Sequence, residues 1–427
     1  MAFKIISIAI IGAGFGLNLF SQSSDSTLVL DRLIEEMQQN NPELQASYHQ
    51  WQAISARAPR AGSLPDPVLG IGLMDLPVNT FAFDQEMMTG KQISFMQMFP
   101  FPGKQGTQKA IVSSEAAAAE QNYLQKQLEL ISSLKSTYFD LFYVDKAMAT
   151  NQHNTELLNQ IAVIAEARYR TGKGLQQDVL KAQLELSKLT DNLLDLQQQR
   201  QSLSAQLNFL LNRDPVSELA KPEGLKFIPY DKDLAELKTM AEKNSPYLLS
   251  WQLMNQQSHQ KVQLAKKEYL PDFSVELAYT QREVLQNGEG GVDLVSGMVS
   301  LTLPLYFWNN QKKQVQESQL EAHSTLKMQE NAGRMIFREL EKVYSDLLKN
   351  QKRLELFTYS IIPQANQTLQ SSLAAYQVDK LEFLTVIENQ LSLYEYELES
   401  YRILSDYHKN IAELDVLTGT GVNRDAQ

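Results

Sequence analysis

The 427-residue chain contains no cysteine, which removes disulfides, thiolate metal sites and thiol nucleophiles together and leaves its redox compartment unmarked. Positive charge is also in short supply. Thirty-nine lysines and arginines against 50 aspartates and glutamates give a formal net charge of −11. Nucleic acid requires a basic footprint that neutralises phosphates, so no nucleic-acid partner is expected. An acidic surface suits cationic cargo or plain solubility. Histidine is scarce, and His49, His153, His259, His323 and His408 are scattered without ligand spacing. Metal sites need clustered donors, so neither a metal ligand nor a cofactor is assigned. A nucleophile turn, a cluster of histidine with carboxylates and a phosphate-cradling glycine loop are all missing. The chain is therefore expected not to be an enzyme, and no catalytic residue is assigned.

Lys4 precedes an apolar run over 5–20 that ends at Ser21 and Gln22. This reads as a secretory signal over 1–21, cleaved near Ser21. A membrane anchor is the alternative, but the run barely reaches the ~18 to 20 residues of a spanning helix and contains Gly12, Gly14, Gly16 and Asn18. Without cysteine to acylate, a lipoprotein anchor is not expected. No later segment is apolar enough for a transmembrane helix, so an integral membrane role would have to come from a β-barrel.

The sequence repeats itself at an interval of roughly 200 residues, weakly in identity and strongly in order. Asn40, Asn41, Pro42, Glu43 and Leu44 are echoed by Asn244, Ser245, Pro246, Tyr247 and Leu248, each proline opening a helical segment. Leu64, Pro65, Asp66 matches Leu270, Pro271, Asp272, and each leads into a strand-like run. Phe99, Pro100 matches Leu303, Pro304, each before a very long helical stretch, and Tyr169 with Gln183 matches Tyr376 with Gln390 at the same spacing.

In the helical stretches Val179, Ala182, Leu186, Leu189, Leu193, Leu196, Leu203, Leu207 and Leu210 step by three and four, broken only by Arg200. Ile336, Leu340, Val343, Leu347, Leu354, Phe357 and Ile361 do the same, with Asn350 in the one polar slot, and Leu384, Ile387, Leu391, Tyr394, Leu398 and Tyr401 follow on the next helix. A sustained period near 3.5 predicts coiled-coil packing. Helices over 104–170 and 309–376 would each reach roughly 100 Å at 1.5 Å per residue. Tight turns are predicted at 171–174 and 378–380, and a bend at Pro363, which lacks a backbone donor.

Four runs between the helices have strand character. Phe273, Val275, Leu277 and Tyr279 alternate with small or polar residues, as do Val299, Leu301, Leu303 and Leu305. Runs over 67–76 and 91–99 occupy the matching places with weaker alternation. One apolar and one polar face, at ~10 residues per strand, is the pattern of a transmembrane barrel strand. Two half-buried hairpins of a soluble sheet are the other reading. The glycine-bearing segments 77–90 and 282–297 have the length of exposed loops. Four strands per chain cannot close a conducting barrel, so closure implies an oligomer. Met74, Met87, Met88, Met96 and Met98 raise a soft-metal reading through their thioethers, while packing or contact with lipid is their commoner role.

Helix, hairpin, long helix, turn and helix, written twice, resembles the TolC-like outer-membrane efflux family over almost the whole mature chain. The run Phe99, Pro100, Phe101, Pro102, Gly103, Lys104 resembles the turn after the second strand in its heavy-metal and cation efflux branch. Tyr169, Gly172, Asp178, Val179, Leu180 and Gln183 resemble the first periplasmic turn. Pro363, Gln364, Ala365, Ala375, Tyr376, Val386, Gln390 and the closing Leu417, Thr418, Gly419 resemble the second. The resemblance implies a mainly α protein with a transmembrane β-barrel. Two structural repeats carry long coiled-coil helices that form an α-barrel, and four strands per protomer close a twelve-stranded barrel in a homotrimer. The expected layout is a signal peptide at 1–21 and a first repeat at 22–212, with a hairpin at about 67–99 and a helical hairpin at 104–212. An equatorial linker at 213–243 leads to a second repeat at 244–419, with a hairpin at about 272–305 and a helical hairpin at 309–418, and then a tail at 420–427.

The implied function is the outer-membrane exit duct of a tripartite efflux system, passively conducting cations or heavy metals. Its implied partners are an inner-membrane pump, a periplasmic adaptor and outer-membrane lipid. In this family the gate lies at the periplasmic helix tips. Asp178 and Tyr376 match positions that bond across it, and Gly172, Lys173, Gly174 and Lys380 match the tips that meet the adaptor. A well-known member carries an arginine at the place of Leu381 and aspartates at the places of Thr385 and Glu388, of which only Glu388 keeps its charge here. Asp379 and Glu382 lie close enough in the turn to form a carboxylate ring instead; solvated tip carboxylates are the alternative. Multidrug efflux and type I secretion by the same fold stay open, as does a periplasmic coiled-coil scaffold that never enters the membrane.

Overall fold

The computed structural model describes residues 27–378 and 380–421; the expected signal peptide lies outside the described residues. Three helices come first among the described residues, α1 (Leu30–Asn40), α2 (Pro42–Ser55) and α3 (Arg57–Ala61), followed by strands β1 (Val68–Met74) and β2 (Gly90–Phe99). Two long helices, α4 (Lys104–Arg170) and α5 (Gln176–Leu210), complete the first half. The order then recurs. Helices α6 (Leu234–Asn244) and α7 (Pro246–Lys267) lead to β3 (Asp272–Gln281) and β4 (Leu294–Thr302). They are followed by α8 (Gln311–Leu356), α9 (Ile362–Gln377) and α10 (Phe383–Thr418).

α4 runs 67 residues without interruption, or roughly 100 Å. It starts where Gly103 takes a left-handed conformation, φ +89°, which a residue with a Cβ adopts only at a cost. Lys104 N–H donates to the Phe101 carbonyl at 3.0 Å across this turn. α4 packs against α5 and α10 and also against α7, so one helix ties the two halves together along its length. Apolar clusters are strung along this shaft instead of forming one central core. One joins Leu134, Tyr138 and Leu141 of α4 to Leu207 and Leu210 of α5. Another joins Leu340, Val343 and Leu347 of α8 to Tyr407 and Leu414 of α10. A third lies beneath the far turns.

Polar residues in these seams are matched in pairs. Arg200, the break in the α5 pattern, donates to Asp145 Oδ1 at 2.7 Å and to the Leu219 carbonyl at 3.2 Å. Asn350 donates to Asn410 Oδ1 at 3.0 Å. Asn151 donates to the Leu189 carbonyl and to the Tyr394 hydroxyl, at 3.1 and 3.2 Å.

Three expectations need correction. The stretch predicted as one helix over 309–376 contains a π-turn, Phe357–Ile361, between α8 and α9. The Ile362 N–H reaches back to the Phe357 carbonyl, so the widened turn takes up the missing donor and ring bulk of Pro363. Second, β4 spans Leu294–Thr302, displaced toward the loop from the predicted run ending at Leu305. Pro304 cannot donate to a ladder, and Leu305 N–H closes a tight turn on the Leu303 carbonyl at 2.9 Å. Third, Leu384 of the predicted α10 seam is half exposed, while Phe383 and Val386 are buried. α10 packs on α4, α8 and α9, so its buried face is wider than a single stripe.

The four strands form one antiparallel sheet in sequence order, β1-β2-β3-β4. In the pairing register, Leu69, Phe95, Leu277 and Gly297 share a row, as do Ile71, Ile93, Tyr279 and Val295. Alternation then puts Val299 and Leu301 on the same face with Val275 and Phe273. The opposite face carries Gly70, Gln92, Ser94, Ser274, Ala278, Thr280, Ser296 and Ser300. Both long helices leave from the same end of this sheet. There Lys104, 6% exposed, donates to Asp272 Oδ1 at 2.9 Å, to the Leu270 carbonyl at 3.0 Å and to Glu268 Oε2 at 3.2 Å. Asp272 Oδ1 also accepts from the Phe101 N–H at 2.7 Å. Two turns from opposite halves of the chain are thereby fastened around one ammonium.

Lys104→Met is expected to lower the thermal unfolding midpoint clearly. Its cost should stay below the roughly 3–5 kcal/mol of a fully buried broken pair, since Glu268 and Asp272 keep 35% and 29% exposure. Lys91→Met, which breaks the exposed pair with Glu283, should barely move it. Equal midpoints for the two variants, read by circular dichroism, would remove Lys104 from the account of the junction.

A second expectation concerns Glu397 on α10. Burial pushes its carboxyl above the usual range, against the opposing effects of His153 and a hydrogen bond with Asn154. The folded state thus binds the proton more tightly than the unfolded chain, and stability falls as pH rises through the folded value. Glu397→Gln should raise the midpoint at pH 7, with the gain vanishing near pH 4. No gain at pH 7 would mean that the buried carboxylate is compensated.

Candidate functional site

At the far end of the shaft, each helical pair closes through a short turn. In the first, Thr171 hydroxyl donates to the Ala167 and Arg168 carbonyls at 3.1 and 3.0 Å. Gly172 takes φ +73°, which reverses the chain so that Lys173 N–H meets the Arg168 carbonyl at 2.9 Å. In the second, Lys380 N–H meets the Ala375 carbonyl at 3.0 Å. The two turns enclose a groove of about 630 Å³ lined by residues of both, including Arg168, Lys173, Asp178, Tyr376, Glu382 and Phe383.

The structure therefore brings Asp178 and Tyr376 to one groove, together with Gly172, Lys173, Gly174, Lys380 and Glu382. Asp178 sits in the first turn of α5, where the helix dipole favours a negative charge. Glu382 precedes α10 and is exposed. Glu388 is not among the residues lining this groove and lies on an exposed face of α10. Asp379 lies outside the described residues.

Repeat-related residues have different surroundings. Tyr169 is 45% exposed, whereas Tyr376 is 3% exposed. Gln183 is exposed, whereas Gln390 is buried and donates to Asn154 Oδ1 at 2.8 Å. Tyr376 packs its ring against Phe383 at 5.5 Å between centroids. Both belong to the apolar cluster with Leu158, Ile161, Ala182, Val386 and Ile387. Arg168 and Phe383 are tip residues that the sequence reading missed. Their only signal was position, Arg168 in the last turn of α4 and Phe383 opening α10.

At the other end, the sheet exposes its apolar face. Ile71 and Val295 are 80% and 79% exposed, and β1 and β4 have no strand on their outer edges among the described residues. Tyr306, Phe307 and Trp308 follow β4 at the helical end, with the Trp308 ring against both Tyr306 and Phe307 and with Tyr269 against Phe307. On the polar face Glu276 lies in one row with Met96 of β2 and Met298 of β4. Met74 and Met98 share that face, so these methionines do not join the exposed apolar one. Met87 and Met88 lie in the loop between β1 and β2. Among the described residues, no group of three or more histidines and carboxylates could hold a metal ion, and no helix is long and apolar enough to cross a membrane.

The family model described as "Outer membrane efflux protein" matches residues 33–213 and 237–420. The "Toxin and drug export protein A" of Aggregatibacter actinomycetemcomitans is 21% identical over 238 residues, 55% of this chain and 52% of that protein. The chain thus matches about half the length of this curated relative. Among solved structures, the outer membrane protein VceC of Vibrio cholerae is similar with a TM-score of 0.78 at 18% identity, covering 92% of this chain and 96% of that one. CusC gives 0.80 at 13% identity, covering 95% and 96%. At such identities the likeness establishes the fold.

Proposed function

Because the chain belongs to the outer membrane efflux protein family, we propose that it is the exit duct of a tripartite efflux system, working as a homotrimer with an inner-membrane pump and a periplasmic adaptor. As a family member it is an outer-membrane transport protein and not an enzyme, with its helices extending into the periplasm. The observation that carries the duct reading is the sheet. An exposed apolar face, a polar opposite face and two unpaired edges suit lipid outside, water inside and closure by further copies. Three copies of the four-stranded sheet make a twelve-stranded barrel. The aromatic group at 306–308 and Tyr269 then sits at the membrane interface, where such rings are favoured. The helices continue the barrel as a tunnel through the two repeats, 22–212 and 244–419, joined by the equatorial linker at 213–243.

The periplasmic end is the gate in this reading. Asp178 and Tyr376 hold it, Asp379, Glu382 and Glu388 surround it with negative charge, and Gly172, Lys173, Gly174 and Lys380 meet the adaptor. Cations or heavy metals are the favoured cargo. Supporting this are the net charge of −11, the tip carboxylates, the run over 99–104, and Glu276, the one ionisable residue between the strand ends on the polar face. Multidrug efflux or type I secretion is the second reading, favoured by the name of the relative from Aggregatibacter actinomycetemcomitans.

Single-channel recording in planar bilayers tests the duct. The wild type should conduct weakly, and Asp178→Ala with Tyr376→Phe should conduct severalfold more. Adding Asp379→Asn and Glu382→Gln should move the reversal potential toward zero in a salt gradient by weakening cation selectivity. A protein that stays soluble without detergent and never inserts would overturn the barrel and favour a periplasmic scaffold.

A further inference from the structure

The two tip turns are built alike and wired unequally. Each closes with a backbone bond over five residues, Lys173 to Arg168 and Lys380 to Ala375. Arg168 and Ala375 are therefore equivalent places, as Tyr169 and Tyr376 are one residue later. One turn carries a guanidinium there and the other a methyl group.

The Arg168 side chain serves both turns. Its Nη2 donates to the Lys173 carbonyl of its own turn at 3.3 Å. Its Nη1 donates to the Tyr376 carbonyl, in the last turn of α9, where the helix dipole favours a cation. The guanidinium carbon lies 4.5 Å from the centroid of the Tyr376 ring, and that ring packs in turn against Phe383 at the start of α10. A chain of contacts thus runs from α4 through α9 to α10. The guanidinium presents two separate nitrogens to the two carbonyls while its plane covers the ring; a lysine ammonium also has several donors, but they radiate from one point of charge and do not reproduce this planar fork. Ala375 offers nothing in return, so the link runs one way and lies within one protomer.

We propose that Arg168 is the positioning residue that fastens the two tip turns of a protomer into one body, using the carbonyl and the ring face of Tyr376. Asp178 is not part of this clamp. The consequence for conduction rests on the tip being the gate, as in the duct reading; the clamp itself does not.

The absence of cysteine makes the test direct. A nitroxide is attached to the full-length protein at Lys380→Cys, and in a second sample at Asn192→Cys, an exposed position on α5 away from the tip. Each is read by electron paramagnetic resonance in detergent with Arg168, Arg168→Ala or Arg168→Lys. The expected result is a severalfold larger mobile fraction at residue 380 for both Arg168 variants and an unchanged spectrum at residue 192. An unchanged spectrum at residue 380 in Arg168→Ala overturns the clamp. So does full rescue by Arg168→Lys, which would reduce the effect to charge, and so does equal loosening at residue 192, which would make Arg168 a general stability residue. Bilayer conductance of Arg168→Ala separates the two ideas. Loosened labels with wild-type conductance uphold the clamp and overturn the gate, whereas loosened labels with raised conductance uphold both.

Discussion

A β-sheet must satisfy the hydrogen bonds along its edges, and this chain does not do so by itself. β1 and β4 end the sheet without partners among the described residues, and the face that a soluble sheet would bury is the one this sheet exposes. In lipid, open edges are excluded and an apolar outer face is stabilising. The rest of the architecture follows from that condition. Both hairpins must enter and leave from the same end, because their loops occupy the other. The helical body is therefore confined to one side of the sheet. The junction must hold two hairpins from opposite halves of the chain in one register, which places a buried ammonium, Lys104, among acceptors contributed by the other half.

Beyond the junction the constraint changes from closing edges to fixing the slide of long helices. Apolar seams of three-four spacing permit neighbouring registers at small cost, since leucine replaces leucine one heptad along. Matched polar slots do not. Arg200 finds its carboxylate only opposite Asp145, Asn350 finds its amide only opposite Asn410, and Gln390 meets Asn154. Each pair gives up some apolar burial and yields one alignment in return. Glu397 lies beside the Asn154 pair, where partial burial pushes its carboxyl above the usual range.

What could be read from sequence was whatever local periodicity encodes. The bounds of α4, the turn at Gly172 and the strand character of β3 are set by residues within one turn or pleat of each other. Beyond that range the reading loosened. β4 was displaced because Leu303 and Leu305 keep the alternation while Pro304 between them ends the ladder. The π-turn before Pro363 was foreseen only as a bend, since period alone cannot say where a helix absorbs an extra residue. The buried face of α10 was misjudged at Phe383 and Leu384 because it depends on how many helices pack there. Arg168 was invisible for the same reason in stronger form: its partner carbonyl on Tyr376 lies 208 residues away in sequence.

The repeat itself explains why such a residue can exist. Had the two tip turns stayed identical, a ring of three protomers would present six equivalent seams, and nothing would distinguish contacts within a chain from contacts between chains. Joining the two copies covalently lets them diverge at single positions. Tyr169 remains at the surface while Tyr376 moves into the cluster beneath the turns, and an arginine beside the first faces an alanine beside the second. The seam within a protomer then holds a guanidinium that Ala375, at the equivalent place in the second copy, does not supply. On the proposed duct reading, a tip that is shut at rest and yields to a docked partner would need seams of two strengths, so that yielding is confined to one of them. One arginine-for-alanine difference between the two copies is enough to make them unequal at this place.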